Sequence, residues 1–476
     1  MRFSRVLLIS PSYGYYDPFL PIGLAYIAQS LSDAGIAYQV LDMSLGYKRH
    51  DIKSTLKRYK PDLVGISLQT LGHKKRYQLI NYIKKCCPSV KIVAGGPHLS
   101  TLKKRVLEEC QDIDYGIVMY GEQPITELCR GRPLEEIKGL IYRDNNKIIL
   151  NIEGIYQIQN HSFPKYDGFE LSKYLFAADV PIPIVSSRGC PFQCTFCISR
   201  IAFGSRFYAR SAEDVADEIE YWHKRGRSIF CFLDDNFTLD AERVYLICAE
   251  FQKRGLDKLE FRITNGVRAD RVDRKLLVRM KEAGFKALSF GVESGSDKIL
   301  RVLKKQETVL QIESAIKDAC ELGYQVTLYF LIGSPYETWE DLNASFRLAL
   351  RYPIYQVRMY NIIPIPNTEL FDWIKENNLF VVPPERYLNF SSNEDRRIVF
   401  ETPELPLKQR RKALGYAYVV SKKVAQRYYR RILGRYGLFG ELVSFLAATN
   451  LVRRKLVYIP FIKIAIRKAK RFLIPK

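Results

Sequence analysis

No stretch of about 20 consecutive apolar residues, the length a helix needs to cross a bilayer, occurs in this chain of 476 residues. The longest weakly charged run, Tyr436 to Val452, has 17 residues and includes Glu441. A secretion leader is not expected either, because Met1-Arg2-Phe3-Ser4-Arg5 passes straight into the apolar run Val6-Leu7-Leu8-Ile9. Histidine is scarce, with five residues in all, and this weakens any zinc-site reading. Ten cysteines without a leader point to a reducing compartment and away from a disulfide scaffold. Seven of them, such as Cys86, Cys87 and Cys248, fall at ordinary helix spacings and read as small buried hydrophobes. No second cluster motif is visible among them. A hydrophobic content of 47% is enough to bury two or three cores.

The other three cysteines are concentrated in Arg188-Gly189-Cys190-Pro191-Phe192-Gln193-Cys194-Thr195-Phe196-Cys197, a CxxxCxxC spacing. Three thiolates on one short loop can wrap one side of an inorganic cluster. A [4Fe–4S] cubane takes four protein ligands when closed. Three local cysteines therefore leave one iron open to an outside ligand, the mark of a reactive metal and not a structural one. The alternative is a zinc knuckle, but zinc wants four ligands, and the nearest histidines are His161 and His223. Residues 181–187 read as a short buried strand, so the loop leaves a strand's C-terminal end, where barrel enzymes place their chemistry.

Downstream, β-rich apolar runs alternate with helical patterns, as in a parallel sheet with crossover helices. Strands are expected at 228–233, 259–263, 286–290, 325–331 and 356–363, with helices at 211–226, 240–254, 271–283, 297–304, 308–322 and 338–351. With the cysteine strand, that makes six β/α units, too few for a full eight-stranded barrel. CxxxCxxC with an aromatic residue, Phe196, before the last cysteine resembles the radical S-adenosylmethionine (SAM) superfamily. The resemblance implies an open (β/α)6 partial barrel. It also implies a [4Fe–4S] cluster on Cys190, Cys194 and Cys197, whose open iron is chelated by SAM. One electron, from a donor such as flavodoxin or ferredoxin, then cleaves SAM to a 5′-deoxyadenosyl radical.

The same resemblance implies SAM contacts at successive strand ends. Asp234, Asp235 and Asn236 stand where the family meets the SAM amino group, and Arg268 could pair with its carboxylate. Glu293 and Ser294 stand where the family meets the ribose and the methionine part. Ile332 and Gly333 match an apolar, glycine-containing strand end that admits adenine. Read without the resemblance, Asp235 or Asp240 could simply cap the next helix, and the glycines could simply end strands. Tyr329, Tyr360 and Asn361 are strand-end residues that could touch substrate.

Residues 1–135 form a different pattern, five strands alternating with helices, which argues for a doubly wound parallel sheet. Pro21-Ile22-Gly23-Leu24, Pro61-Asp62-Leu63-Val64-Gly65-Ile66-Ser67 and Gly95-Gly96-Pro97-His98 resemble the cobalamin-binding domain that precedes many radical SAM barrels. Such domains in mutases carry a DxHxxG loop whose histidine ligates cobalt. Here the loop reads Ser10-Pro11-Ser12-Tyr13-Gly14-Tyr15-Tyr16-Asp17, without histidine, so a bound corrinoid would lack a histidine ligand. Ser67, Gln69, Thr70, Gly95 and Gly96 could line its nucleotide tail, and His98 reads as a helix-start residue. A flavodoxin-like domain kept for packing is the alternative.

The expected organisation is therefore α/β. A Rossmann-like, cobalamin-binding-type domain (1–135) is followed by a hairpin with an Asp-Asn-Asn turn and a linker (136–178). A partial barrel (179–385) and a basic, amphipathic helical segment (386–476) complete it. From Lys408 to Lys476 there are 19 Lys and Arg and one acid, Glu441, interleaved with aromatic and aliphatic residues. That mixture reads as a segment lying on an anionic membrane surface, on the inner face of a cytoplasmic membrane. Helices packed on the barrel are the alternative, and nucleic-acid binding is not expected. Three function classes follow. The first is cobalamin-assisted methylation or C–C/C–H remodelling of a lipid-like molecule. The second is tailoring of a soluble natural product or tetrapyrrole. The third, RNA modification, lacks its hallmark, because Cys86, Cys87, Cys110 and Cys129 are wrongly spaced for an extra cluster.

Overall fold

The computed structural model describes residues 1–12, 19–154, 161–174, 180–389 and 397–437. Most of the loop 10–17, and all of 438–476, lie outside the described residues. The chain divides into two compact units, Met1–Ser228 with Pro364–Val399, and Ile229–Ile363 with Phe400–Lys476. Two of the three cuts, after Ser228 and after Ile363, fall inside the segment expected to be one barrel.

The first unit opens with parallel strands β1 (Arg5–Ser10), β2 (Ala37–Asp42), β3 (Leu63–Ser67), β4 (Lys91–Gly95) and β5 (Tyr115–Ile117). Their order is β2-β1-β3-β4-β5, a doubly wound arrangement whose direction reverses between β1 and β3. Helices cover both faces, so the strands are apolar on both. Leu7, Ile9, Val64, Ile66, Ile92 and Ala94 feed one core, and Val6, Leu8, Leu63, Val93 and Ile117 feed the other. The expected hairpin is present as β6 (Leu140–Asp144) and β7 (Lys147–Leu150), but it is not merely a connector. It adds two antiparallel strands to the sheet edge beyond β5. Asn145 and Asn146 adopt φ of 44° and 66°, the left-handed pair that a tight hairpin turn requires.

The strand expected at 181–187 is broken into β8 (Ile182–Ile184) and β9 (Ser187–Arg188). The break falls at Val185 and Ser186. Instead β9 pairs antiparallel with β10 (Tyr208–Ala209), bringing Arg188 opposite Tyr208. Residues 364–399 return to this unit, where the Leu370 N–H donates to the Thr195 carbonyl at 2.9 Å.

The second unit holds β11 (Ile229–Phe232), β12 (Glu260–Val267), β13 (Phe285–Glu293), β14 (Gln325–Ile332) and β15 (Gln356–Asn361), parallel and in sequence order. With β8, all six strands expected of the partial barrel exist. Alternation divides the two faces of these five strands. Phe230, Phe232, Phe261, Ile263, Leu288, Phe290, Val326, Leu328 and Val357 are buried on one face. Crossover helices are joined to the strands by side-chain caps such as Asp240 on the Arg243 N–H and Thr338 with Asp341. Asp240, and not Asp235, therefore performs the capping. The opposite face carries Cys231, Arg262, Thr264, Ser289, Thr327, Tyr329, Arg358 and Tyr360.

Residues 407–433 of the expected C-terminal segment form one helix, Leu407–Leu433, packed on β15, β14 and the helix Trp339–Arg351. Arg410, Ala413, Ala417, Val420, Val424 and Ala425 are buried along it. Among the described residues no helix is long and apolar enough to cross a membrane.

Candidate active site

In the first unit Cys190, Cys194 and Cys197 are partly buried thiols, none in a disulfide, on the loop after β9. The loop turns through Gly189 at φ +84°, where a Cβ would lie 2.0 Å from the Arg206 carbonyl oxygen. The Cys197 N–H donates to the Cys194 carbonyl at 3.1 Å. The Ser199 N–H points at the Cys197 sulfur at 3.5 Å. Phe196 is half-buried beside it. Before the glycine, Arg188 donates to Glu122 at 2.6 Å and lies over the rings of Tyr26 and Tyr120 at 4.3 and 5.3 Å. Burial pushes the Glu122 carboxyl up, but Arg188 outweighs it and the group is held below the ordinary range. The three thiols are not gathered into a closed metal set among the described residues.

At the β1/β3 reversal of the same unit, Ser67 ends β3, followed by Gln69 and the buried Thr70, whose Oγ1 has no partner. Gly96 sits at φ +94°, but its bare side faces the chain itself, since a Cβ would meet the Leu68 carbonyl oxygen at 2.9 Å and the Ser67 Oγ at 3.1 Å. Gly96 thus serves the close approach of two strand ends. Gly95 has no such crowding. His98 lies in the helix Pro97–Leu102 and is fully buried. Its Nε2 is 2.7 Å from the Tyr77 hydroxyl, its ring stacks on His73 at 4.9 Å, and burial drops its pKa to about 3. The imidazole is thus neutral and bonded internally through Nε2.

In the second unit the strand ends hold most of the expected SAM residues. Asp234 and Asn236 are buried after β11 at 1% and 2% exposure, and neither amide atom of Asn236 has a partner. Asp235 is half-buried. Glu293 ends β13 at φ +62° and accepts from Lys305 at 3.3 Å. Burial raises its pKa against the pull of Lys305. Two of the expected residues have protein partners. Arg268 donates to Asp270 at 2.9 Å and to the Lys305 carbonyl at 2.7 Å, so it braces the loop that carries Lys305. Ser294 is fully buried, and its Oγ accepts from Ser296 N–H and faces Ser345 Oγ at 3.5 Å, which ties β13 to the next helix.

The end of β14 also differs from expectation. A Cβ on Gly333 would lie 1.9 Å from the Arg410 guanidinium, so the space left by the glycine is filled from the C-terminal helix. Arg410 donates to the Ile332 carbonyl at 3.2 Å, the Phe400 carbonyl at 2.9 Å and Asn361 Oδ1 at 3.0 Å. Asn361 is therefore a partner of Arg410 and not a substrate contact. Glu337 accepts from the Gly333 N–H at 2.6 Å, and its other oxygen has no partner.

A family model described as "Radical SAM superfamily" matches residues 184–349, and one described as "B12 binding domain" matches residues 15–129. An uncharacterized methyltransferase of Pyrococcus horikoshii is 32% identical over 403 residues, covering 80% of this chain and 85% of that protein. The chain belongs to the radical SAM superfamily. An anaerobic magnesium-protoporphyrin IX monomethyl ester cyclase of Cereibacter sphaeroides is 26% identical over 78% of this chain and 64% of its own length. Among solved structures, the radical SAM methyltransferase TsrM from Kitasatospora setae superposes with a TM-score of 0.75 at 19% identity. That match covers 88% of this chain and 89% of TsrM. The cobalamin-dependent radical SAM enzyme OxsB gives a TM-score of 0.73 at 17% identity, covering 98% of this chain and 75% of OxsB.

As a radical SAM enzyme with a B12-binding domain, the protein uses a [4Fe–4S] cluster, SAM and a corrinoid. Its residues fit these groups. Three soft thiols on one loop, with no hard oxygen ligand among them, suit iron–sulfur ligation. The unpartnered amide of Asn236 beside buried Asp234 suits a polar, cationic ligand at the β11 end. The unpartnered Thr70 hydroxyl lies at the sheet's reversal point, where doubly wound folds bind ligands.

Sequence reasoning missed Arg188, Glu122, Glu337 and Arg410. Glu337 had a signal, a carboxylate four residues after the strand-ending Gly333, whereas Arg410 is one cation among 19. Burial raises the Glu337 pKa from 4.5 to about 7, opposed by the Gly333 N–H and by Arg410. The folded chain therefore holds a proton there between pH 4.5 and 7 that the unfolded chain releases. Stability falls as pH rises through that window, by on the order of 3 kcal/mol for such a group. Glu337→Gln is expected to flatten this slope, read by guanidinium unfolding of both proteins at pH 5 and pH 8.

Proposed function

We propose that this enzyme methylates, or otherwise remodels, an unactivated carbon of a lipid-like substrate at an anionic membrane surface. When bound, the cluster and SAM supply a 5′-deoxyadenosyl radical, and the corrinoid supplies methyl-transfer chemistry. Cys190, Cys194 and Cys197 would hold the cluster. Asp234, Asp235 and Asn236 would receive the SAM amino group, Glu293 a ribose hydroxyl, and the Ile332–Gly333 backbone the adenine. Ser67, Gln69, Thr70 and Gly95 would line the corrinoid's tail. Electrons would come from a flavodoxin or ferredoxin.

The observation carrying the substrate class is the composition of residues 438–476, which hold nine Lys and Arg and one acid among residues such as Phe439, Phe445, Ile459 and Phe461. Each cation held near an anionic surface adds about 1 kcal/mol of attraction. This proposal concerns that segment alone, because 407–433 are committed to packing. It places the protein in the cytoplasm, peripheral to the membrane. A second reading, a tetrapyrrole substrate, is favoured by the likeness to the Cereibacter sphaeroides cyclase.

Supplying SAM labelled in its methyl group to reconstituted enzyme with reductant and whole-cell extract separates these readings. Label in the lipid phase, accompanied by 5′-deoxyadenosine and lost in Cys190→Ala, is the expected result. Label in pigments or water-soluble products only would overturn the lipid assignment.

A further inference from the structure

The polar face of the second unit carries one feature that the cofactors do not explain. Parallel sheets are normally apolar on both faces, so a polar face on β11–β15 marks a surface that meets ligand. Most charges on it are matched. Arg262 donates to Glu260 at 2.6 Å, and Glu293 accepts from Lys305 at 3.3 Å. Arg358 of β15 is different. It is exposed, and among the described residues no carboxylate pairs with it.

The register fixes its surroundings. Gly291, Tyr329 and Arg358 lie in one row across β13, β14 and β15. The bare side of Gly291 is covered by the Glu293–Lys305 pair, with Glu293 Oε1 2.8 Å and Lys305 Nζ 3.1 Å from where a Cβ would sit. Tyr329 donates its hydroxyl to the Thr264 carbonyl at 2.7 Å, which holds its ring as a wall in the middle of the row. The Tyr360 ring, 41% exposed, stands 6.2 Å from it. Tyr360 lies two residues further along β15, on the same face as Arg358.

We propose that Arg358, with Tyr329 and Tyr360, forms an anion subsite that takes a carboxylate or phosphate oxygen group of the substrate. A guanidinium presents paired N–H donors that match these groups, and the two aromatic rings suit an apolar body attached to the anion. The net charge of the row agrees, since Lys305 neutralises Glu293 and leaves Arg358 unmatched. Two strand spacings, roughly 10 Å, separate the row's Glu293 end from Arg358. The anion would therefore lie several bonds from the carbon that reacts near SAM. This inference rests on the proposed reading that SAM occupies the Glu293 end.

Phenylglyoxal modifies exposed arginines, and peptide mass spectrometry reads each site separately. The rate at Arg358 would be followed in the full-length chain, reconstituted with cluster and corrinoid, with Arg262 as internal control. Octyl phosphate and octanoate are expected to slow modification of Arg358 several-fold, with octanol and SAM alone having no effect and Arg262 unchanged. Because the readout is confined to one residue, binding of these amphiphiles to the basic C-terminus does not interfere. Protection by SAM alone would assign Arg358 to the SAM carboxylate and overturn the proposal, as would equal rates with octyl phosphate and octanol. SAM binding is measured by dialysis in the same samples. Its absence with anion protection intact would defeat the SAM reading and leave the anion subsite standing.

Discussion

Gly189→Ala is expected to strip the reconstituted protein of its cluster, lowering iron from about four atoms per chain towards none. The effect should match that of removing the cysteines, although no ligand is touched. The residue has φ +84°, a conformation that costs a non-glycine residue about 1–2 kcal/mol. Strain of that size would be tolerated by itself. The decisive problem is the Arg206 carbonyl oxygen 2.0 Å from the new Cβ, which is backbone and cannot rotate away. Relief requires β9 and β10 to part, and the Arg188↔Tyr208 pairing that sets the start of the cysteine loop goes with them. Iron and sulfide analysis after anaerobic reconstitution, with circular dichroism to confirm folding, checks this. A Gly189→Ala protein with full iron content would show that the loop can be rebuilt around a side chain.

The second large effect separates the two halves of the C-terminal region. A chain ending at Pro406 is expected to lose SAM binding and much of its stability, whereas a chain ending at Gly437 should keep both. The difference lies in the helix Leu407–Leu433 and, within it, Arg410. Removing one partner of a buried charged network costs about 3–5 kcal/mol, because the groups left behind stay desolvated. Without Arg410 those groups are the Ile332 and Phe400 carbonyls, Asn361 and the Glu337 carboxyl beside Gly333. Arg410→Met in the full chain should reproduce most of the loss. Denaturant unfolding and equilibrium dialysis with SAM measure the two effects separately. Unchanged SAM affinity in both Arg410→Met and the Pro406 truncation would detach this helix from the SAM site.

These two cases also mark what was legible in the sequence. The cysteine loop was readable because thiol spacing is local and few chemistries need it. The strand and helix order was readable because apolar periodicity reports burial directly: Val6 to Ile9 are apolar throughout, and β11 to β15 alternate. The role of the helix 407–433 was not readable. Basic residues among Ala, Val and Tyr follow the same pattern whether the apolar side meets lipid or protein, and only the tertiary contact of Arg410 with Gly333 separates the two. The protein partners of Gly96, Gly333, Arg268 and Ser294 were not readable for a related reason. A strand end with a glycine or a polar side chain can serve a ligand or a neighbouring element, and its own sequence reads the same in both cases. The return of residues 364–399 to the first unit left no local trace, since it depends on contacts such as Leu370 with Thr195 that join distant positions.

The pair Arg188–Glu122 has a bearing on how such proteins can be recombined. Sequence comparison cuts the chain between 129 and 184, as though a corrinoid-type cassette had been fused to the N-terminal side of an independent catalytic cassette. Physically there is no seam at that point. The residue that leads into the cysteines is ion-paired to the first turn of the helix Glu122–Arg130 and held between two tyrosines, Tyr26 and Tyr120, of the N-terminal cassette. A chimera that took the N-terminal cassette from a relative without an acid at the position of Glu122 would remove the Glu122 partner of Arg188 next to the cluster loop. Exchange between lineages should therefore carry the Glu122–Arg188 couple intact. When one of the two changes, the other is expected to change with it.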